Sequence, residues 1–226
     1  MARRHPCVRV NRTGEEALIL PFGVNPSFWD NRYAGDDFVF GTAPNDFLRQ
    51  CADLIPAGPV LCLGEGEGRN AAYLAGRGHA VTAVDQSATG LAKARRLAAD
   101  RGLPLDTAVA DLSDYPIRSG AWAGIVSIFL HLPPELRARV HAQVAAGLLP
   151  GGIFVLESYT PAQLAFGTGG PKDPALLPTL AGLRAELAGL DLVIAREVER
   201  EVIEGAGHTG RAAVVQVLAR RGAANR

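Results

Sequence analysis

The stretch VLCLGEGEGRNAAYLA, residues 60–75, decides the fold of this chain. It opens on an apolar run that predicts a buried β-strand, and it ends on a helix-like stretch that begins near Asn70. Between them lies the pattern Gly-x-Gly-x-Gly, residues 64–68. Glycines let the backbone approach a ligand without Cβ clashes, and the start of the next helix offers free N–H groups. The stretch therefore predicts a loop that holds a small charged ligand.

Asp85 is the predicted partner of this loop, because it closes the next apolar strand, HAVTAVD, residues 79–85. It follows Gly64 by roughly 20 residues, the spacing of the acidic residue in a nucleotide-binding βαβ unit. A carboxylate at this position can accept hydrogen bonds from both hydroxyl groups of a ribose. We expect Gln86 and Ser87, which come directly after it, to contact the same nucleoside.

The spacing of the glycines separates two classes of ligand. A pyrophosphate cofactor favours Gly-x-Gly-x-x-Gly, whereas this chain places Glu65 and Glu67 in the gaps of a tighter pattern. Two carboxylates would repel a pyrophosphate at close range, but they are compatible with the ammonium and sulfonium groups of S-adenosylmethionine. A tight strand–helix turn with solvated glutamates is the alternative interpretation of the glycines taken alone.

Strands and helices alternate along the rest of the chain. Apolar runs predict strands at residues 105–112, 123–130 and 152–159, and helical patterns lie at residues 45–55, 88–102 and 134–149. Such alternation indicates an α/β fold with a mostly parallel, doubly wound, Rossmann-like sheet. The last third differs: residues 176–190 predict a helix, and residues 192–204 and 211–221 predict an antiparallel hairpin.

Composition excludes several classes of protein. The 226 residues are 48% hydrophobic and 20% charged, which is typical of a folded domain. The net charge is zero, so we expect no nucleic-acid partner. The three cysteines lack disulfide-framework or zinc spacing, so we expect no metal site, and no apolar run approaches the roughly 20 residues that span a bilayer. We predict a cytoplasmic protein with a flexible arm at residues 1–24 and one domain at residues 25–226.

Two further polar residues follow predicted strands. Asp111 ends the third strand, where it can accept a hydrogen bond from an adenine amino group, with Ala110 and Leu112 beside the ring. A turn aspartate before a solvated loop is the alternative for Asp111. His131 lies just beyond Ile128, at the strand end where open α/β sheets bind ligands. It can orient or deprotonate an acceptor, or it can be a structural residue that bonds a loop carbonyl.

From about Phe28 to Arg221 the chain resembles the class I S-adenosylmethionine-dependent methyltransferases. The resemblance is carried by the glycine motif VLCLGEGEGRNA, the ribose-binding strand end VTAVDQS, the adenine-contacting segment VADLSDYP and the late motif LLPGGIFVLESY. The segment FWDNRYAGDDFVFGTAPNDFL is similar to the start of small bacterial enzymes of the tellurite-resistance and thiopurine methyltransferase type. The resemblance implies a seven-stranded sheet whose last strand runs antiparallel, with Trp29 and Tyr33 closing over the cofactor.

The chain departs from the family where Cys62 stands in place of the usual acidic residue. We infer that Glu65, or backbone carbonyls, meets the methionine ammonium instead. Arg69 can pair with the methionine carboxylate or be a surface arginine, and Asn70 can cap the helix or bond the cofactor. His131 is the candidate catalytic residue, and the predicted cofactor-binding residues are Trp29, Tyr33, Gly64, Glu65, Gly66, Arg69, Asn70, Asp85, Gln86, Ser87, Ala110, Asp111, Leu112 and Ile128.

The expected activity is transfer of a methyl group from S-adenosylmethionine to a small-molecule acceptor, such as a thiol or a metalloid oxyanion. Alignment of the reacting atoms and exclusion of water suffice for this reaction, and a soft nucleophile needs no general base. A non-catalytic protein that binds S-adenosylmethionine or S-adenosylhomocysteine is the first alternative. A nicotinamide-dependent oxidoreductase is the second, and the glycine spacing disfavours it. The acceptor and the oligomeric state are left open.

Overall fold

A seven-stranded mixed sheet forms the body of the computed structural model, which describes residues 8–10, 16–18 and 26–223. The strands are β1 (Val8–Val10), β2 (Glu16–Leu18), β3 (Pro59–Leu63), β4 (Ala80–Asp85), β5 (Asp106–Val109), β6 (Trp122–Ile128), β7 (Leu148–Tyr159), β8 (Asp191–Glu204) and β9 (His208–Arg220). The helices are α1 (Pro26–Arg32), α2 (Asp46–Cys51), α3 (Arg69–Gly76), α4 (Ala88–Asp100), α5 (Pro134–Gly147) and α6 (Leu180–Glu186). Short 3-10 turns lie at Ala52–Leu54, Pro161–Ala165 and Pro174–Leu176.

The order of the strands confirms the predicted Rossmann-like α/β fold. It reads β5-β4-β3-β6-β7-β9-β8, with parallel pairing from β5 to β7. The last strand, β9, runs antiparallel to both β7 and β8, as the resemblance implied. The chain adds β4 and β5 on one side of β3 and then β6 and β7 on the other side. The order in which strands are added therefore reverses beside β3. Open α/β sheets bind ligands in the crevice at the carboxyl ends of such strands.

Both faces of the sheet are covered. Successive strand residues point to opposite faces, so Cys62 belongs to one buried cluster and Leu61 to the other. The first cluster includes Phe47, Leu74 and Leu91 from α2, α3 and α4. The second includes Val140, Val144 and Leu183 from α5 and α6. Two covered faces explain why the central strands are continuous apolar runs.

Two elements are shorter than the sequence predicts. The strand predicted at residues 105–112 ends at Val109: the N–H of Ala110 donates to the carbonyl of Asp85, the last residue of β4, at 2.9 Å, and the chain then turns at Asp111. The helix predicted at residues 176–190 is limited to α6, which begins after Thr179. The Thr179 hydroxyl caps this helix by accepting the N–H of Gly182 at 3.1 Å.

The amino-terminal arm predicted at residues 1–24 falls mostly outside the described residues. Its two described pieces, β1 and β2, pair with each other in antiparallel register, with Val8 opposite Leu18. The boundary between an arm and a domain that begins at residue 25 therefore stays a prediction. Among the described helices, none has the length and hydropathy needed to cross a membrane.

Candidate active site

The glycine loop after β3 turns tightly and packs closely on its neighbours. Gly66 and Gly68 have φ values of 59° and 90°, a region that favours glycine. A Cβ added at Gly66 would lie 2.7 Å from the Tyr33 hydroxyl oxygen, and one at Gly68 would lie 2.6 Å from the Cα of Ala94 in α4. Gly66 and Gly68 are therefore required by the fold of the loop, in addition to any approach to a ligand.

Asp85 joins the end of β4 to this loop, as the sequence predicted. Its Oδ2 accepts the N–H of Gly66 and its Oδ1 accepts the N–H of Ser87, both at 2.8 Å. Burial raises the pKa of Asp85, and the two backbone hydrogen bonds act in the opposite direction. Each carboxylate oxygen can accept a second hydrogen bond. Asp85 can therefore hold the loop and still receive the hydroxyl groups of a ligand.

Glu65 and Glu67, both compatible with a cationic ligand by sequence, have separate roles in the structure. The Oε1 of Glu65 accepts the N–H groups of Asn70 and Ala71, at 2.9 and 2.8 Å, and so caps α3. Burial raises the pKa of Glu65 to about 7. The carboxylate of Glu67 lies 2.6 Å from the ammonium nitrogen of Lys93. A cation therefore already neutralises Glu67, whereas Glu65 remains available to a ligand.

Arg69 is buried, so the alternative of a surface arginine is wrong. One guanidinium nitrogen, Nη2, bonds the carboxylate of Glu204. The same carboxylate accepts from Asn45 Nδ2 at 2.8 Å and from Arg200 at 3.0 Å. Among the described residues the other nitrogen, Nη1, finds no hydrogen-bond partner. A buried unpaired donor is costly, so the geometry favours an anionic ligand group at Arg69.

Asn70 contributes mainly to the scaffold of the site. Its side-chain oxygen accepts the N–H of Asn45 at 2.9 Å and so ties the start of α3 to the start of α2. Ser87 is fully buried, and its hydroxyl caps α4 by accepting the N–H of Gly90 at 2.9 Å. The same hydroxyl donates to Asp30 at 2.6 Å. Ser87 therefore faces α1, which does not fit its predicted contact with the nucleoside.

A cavity of about 600 Å³ opens at the carboxyl edge of the sheet. All the predicted site residues except Gly66 and Ser87 line this cavity. The predicted residues that line it are Trp29, Tyr33, Gly64, Glu65, Arg69, Asn70, Asp85, Gln86, Ala110, Asp111, Leu112, Ile128 and His131. Residues outside that prediction include Arg32, Phe40, Phe129, Leu130, Leu136, Gly169, Gly170, Lys172, Leu176 and His208. The structure thus brings the two predicted halves of the site, for the nucleoside and for the acceptor, into one cavity.

Helix α1 was not predicted, and it covers one end of the cavity. The rings of Trp29 and Tyr33 stack with their centroids 5.6 Å apart. Asp30 anchors the helix by accepting from the Ser87 hydroxyl and from the N–H of Thr89 at 3.0 Å. The hydrogen bond from Ser87, more than that from Thr89, lowers the pKa of Asp30. The start of α4 therefore fixes the aromatic residues of α1 over the site.

His131 has one ring nitrogen bonded and one free. Its hydrogen bond to the backbone of Phe129 favours protonation, but burial dominates and lowers its pKa to about 4. Because Nε2 has no partner within the described chain, Nδ1 makes that bond and Nε2 keeps a free lone pair. Phe129 has a φ of 52°, a strained value for a residue with a side chain. His131 therefore bonds the backbone, as the structural alternative predicts, and it also lines the cavity; its catalytic role stays a prediction.

Sequence reasoning missed His208, which lies just after the turn between β8 and β9. Its ring centroid lies 4.4 Å from that of Phe40 and 4.7 Å from that of Phe129. Burial, and then the charge of Arg69, lower its pKa to about 3. The direction of the strands was the missed signal: β8 runs parallel to β7, so it brings the turn to the carboxyl edge of the sheet.

No group of three described His, Cys, Asp or Glu side chains could hold a metal ion.

The comparisons with known sequences agree with this geometry. Residues 60–152 match a family model described as a methyltransferase domain. The 2-heptyl-1-hydroxyquinolin-4(1H)-one methyltransferase of Mycobacteroides abscessus is 32% identical over 117 residues, which cover 50% of this chain and 52% of that protein. The chain therefore matches about half the length of this curated relative.

Solved structures share the fold at low identity. One, reported for the conversion of a disulfide bond into a thioacetal group during echinomycin biosynthesis, has a TM-score of 0.72 and 21% identity, over 88% of this chain and 93% of its own. TehB from Haemophilus influenzae has a TM-score of 0.65 and 20% identity, over 87% of this chain and 66% of its own. Residues 60–152 thus match a methyltransferase domain, and these solved structures share the fold of the chain.

Proposed function

We propose that this chain transfers a methyl group from S-adenosylmethionine to a small-molecule acceptor. The observation that carries the proposal is that one cavity of about 600 Å³ is lined both by the glycine loop and Asp85 and by the acceptor-side residues after β6. Sites for small ligands typically enclose about 300 to 1,000 Å³. Such a cavity suits two small reactants better than a segment of nucleic acid.

The residues at the cofactor half fit the chemistry of S-adenosylmethionine. Asp85 offers acceptor positions for the ribose hydroxyl groups, and the free Nη1 of Arg69 suits the methionine carboxylate. We assign the adenine amino group to Asp111, with Ala110 and Leu112 against the ring. Bound there, S-adenosylmethionine would supply a methyl group on a positively charged sulfur.

The acceptor half is mostly apolar, which supports an acceptor with an apolar body. Phe129, Leu130 and Leu136 contribute to its wall. The matched relative acts, by its name, on 2-heptyl-1-hydroxyquinolin-4(1H)-one, a small molecule with a hydroxyl group and an alkyl chain. Thiols and metalloid oxyanions, which the sequence analysis favoured, should be assayed as acceptors beside such hydroxyl compounds.

The contribution of the protein is positional. Helix α1 and the loop that carries Gly167 and Lys172 border the cavity, and their cover limits the access of water to the reacting atoms. Alignment of two bound reactants supplies a large part of the rate in such a transfer. We propose the cytoplasm as the compartment, since the described cysteines, Cys51 and Cys62, are free buried thiols rather than part of a disulfide framework.

Two measurements test the proposal. Calorimetry should detect binding of S-adenosylmethionine to the purified chain. A panel of thiols, aromatic hydroxyl compounds, amines, selenite and tellurite should then give acceptor-dependent release of S-adenosylhomocysteine. Binding without turnover of any acceptor would favour the non-catalytic binding protein, and absence of binding would refute both.

A further inference from the structure

His208 is a half-buried imidazole on the acceptor side of the cavity that the proposed function does not use. Contacts with the rings of Phe40 and Phe129 hold it in place, with centroid distances of 4.4 and 4.7 Å. Its Nδ1 atom is buried, and no atom of the described residues satisfies it. A buried polar atom without a partner is costly, and because His208 also lines the cavity, a bound ligand can supply the missing partner.

His208 and His131 belong to one wall of the cavity. Both rings pack against Tyr159, a buried residue at the end of β7. His131 stacks on the Tyr159 ring at 5.7 Å with an interplanar angle of 12°, and His208 meets it edge-on at 5.5 Å. Since His131 also has a free Nε2, this wall carries two unsatisfied imidazole nitrogens.

Arginines and buried carboxylates both lie near this wall. Burial, more than any charge, lowers the pKa of His208 and keeps its ring neutral, and Arg69, His131, Arg32 and Arg200 act in the same direction. Arg137 acts in the same direction on His131. Arg69 and Arg200 are paired with the Glu204 carboxylate, so their charges are largely compensated, and it is the N–H group of a neutral imidazole that can stabilise an oxygen that becomes negative.

We propose that His208 and His131 bind the acceptor as a pair, and that the acceptor is an aromatic compound with an acidic hydroxyl group. This inference rests on the proposed function and names its substrate class. The neutral His208 ring donates a hydrogen bond from Nδ1 to the hydroxyl oxygen. His131 Nε2 accepts the proton of the same hydroxyl group.

The reaction balances with these groups alone. A bond forms between the hydroxyl oxygen and the methyl carbon, while the carbon–sulfur bond breaks and sulfur keeps the electron pair. The hydroxyl proton moves to Nε2 of His131 and later to water. Because two neutral imidazoles with low pKa values are weak bases, an acidic hydroxyl group is favoured over an alcohol.

The test measures kcat/KM by release of S-adenosylhomocysteine with 2-heptyl-1-hydroxyquinolin-4(1H)-one, naphthol and nitrophenol as hydroxyl probes. His208→Ala should lower kcat/KM for these probes by about 10- to 100-fold, the effect of one hydrogen bond to a charged group. His208→Asn, which keeps an N–H donor near the position of Nδ1, should restore most of the loss. His131→Gln keeps a polar group but cannot take the proton, so it should lower kcat/KM by about 100-fold or more.

The matched control is His79→Gln. His79 is a buried histidine that also has an unpartnered Nδ1 in the described structure, but it lies outside the cavity lining. This variant should keep kcat/KM. The dissociation constant of S-adenosylmethionine, measured by calorimetry, should stay near the wild-type value in all four variants.

The inference is overturned if His208→Ala matches His79→Gln in kcat/KM, or if the wild type methylates thiophenol or tellurite and none of the hydroxyl probes. Should no probe be methylated at all, NMR of histidine-labelled protein with S-adenosylhomocysteine and the hydroxyl probes decides. Shifts of both ring nitrogens support the pair, and unchanged signals refute it. Failure of S-adenosylmethionine to bind would instead refute the proposed function itself.

Discussion

Lys93→Met should destabilise the fold and the site together. The ammonium nitrogen of Lys93 lies 2.6 Å from Oε1 of Glu67, and the two side chains are only 7% and 2% exposed. The same nitrogen donates to the carbonyls of Gly35 and Asp37 at 2.9 and 2.5 Å. Lys93 therefore joins α4 to the glycine loop and to the segment after α1 that borders the cavity.

The expected magnitude follows from the burial of this ion pair. Methionine keeps the apolar stem but leaves the Glu67 carboxylate buried with the N–H of Phe40, at 3.2 Å, as its remaining hydrogen-bond donor. Removal of one partner of a buried pair costs about 3 to 5 kcal/mol of unfolding free energy. The double variant Glu67→Gln/Lys93→Met carries neither charge, so it should recover most of that loss.

Urea unfolding followed by circular dichroism measures these free energies. Arg49→Met is the matched control, because its ion pair with Asp46 is exposed, at 58% and 54%. It should cost less than about 1 kcal/mol. The reasoning is refuted if Lys93→Met costs no more than Arg49→Met, or if the double variant is as unstable as Lys93→Met alone. Calorimetry should also show weaker binding of S-adenosylmethionine to Lys93→Met, because the segment bordering the site is no longer held.

Three further predictions concern the cofactor half. Asp85→Asn loses one of its two loop hydrogen bonds and a ribose acceptor, so calorimetry should show about tenfold weaker S-adenosylmethionine binding or more; unchanged affinity would contradict the ribose assignment. Arg69→Met removes the free Nη1 while Glu204 keeps its other donors, so the same assay should show a loss of about 10- to 100-fold. Burial raises the pKa of Glu65 from 4.5 to about 7, so the folded state holds its proton to higher pH and stability should fall as pH rises between those values. Glu65→Gln keeps an acceptor for α3 and should remove this fall in the urea midpoint; a midpoint that falls equally in both proteins would exclude Glu65 as its origin.

The glycine loop and Asp85 were predictable from the sequence because local chemistry dictates them. A buried strand, a glycine turn and a helix form one continuous unit, and the strand end that carries Asp85 follows at the spacing of a nucleotide-binding fold. The parallel sheet could also be predicted from the sequence, since strands buried on both faces are continuous apolar runs.

The partner of each charged residue was not predictable. By sequence, Glu67 was compatible with a cationic ligand, but Lys93 from α4 neutralises it. Ser87 looked like a cofactor contact, but Asp30 from α1 turns it toward that helix. The two residues of each pair lie 26 and 57 positions apart in the sequence, respectively. No local pattern specifies contacts between such distant segments.

Alone, the sequence determined the strand–helix alternation, the glycine turn and the carboxylate that closes the second core strand, because each depends on neighbouring residues. The tertiary structure decided which side chains remain free to meet a ligand. It paired Glu67 with Lys93, left one nitrogen of Arg69 unbonded, and carried His208 to the cavity by the direction of β8. Pairing, burial and strand direction are properties of the assembled sheet, and for this reason the acceptor side became visible only in the folded chain.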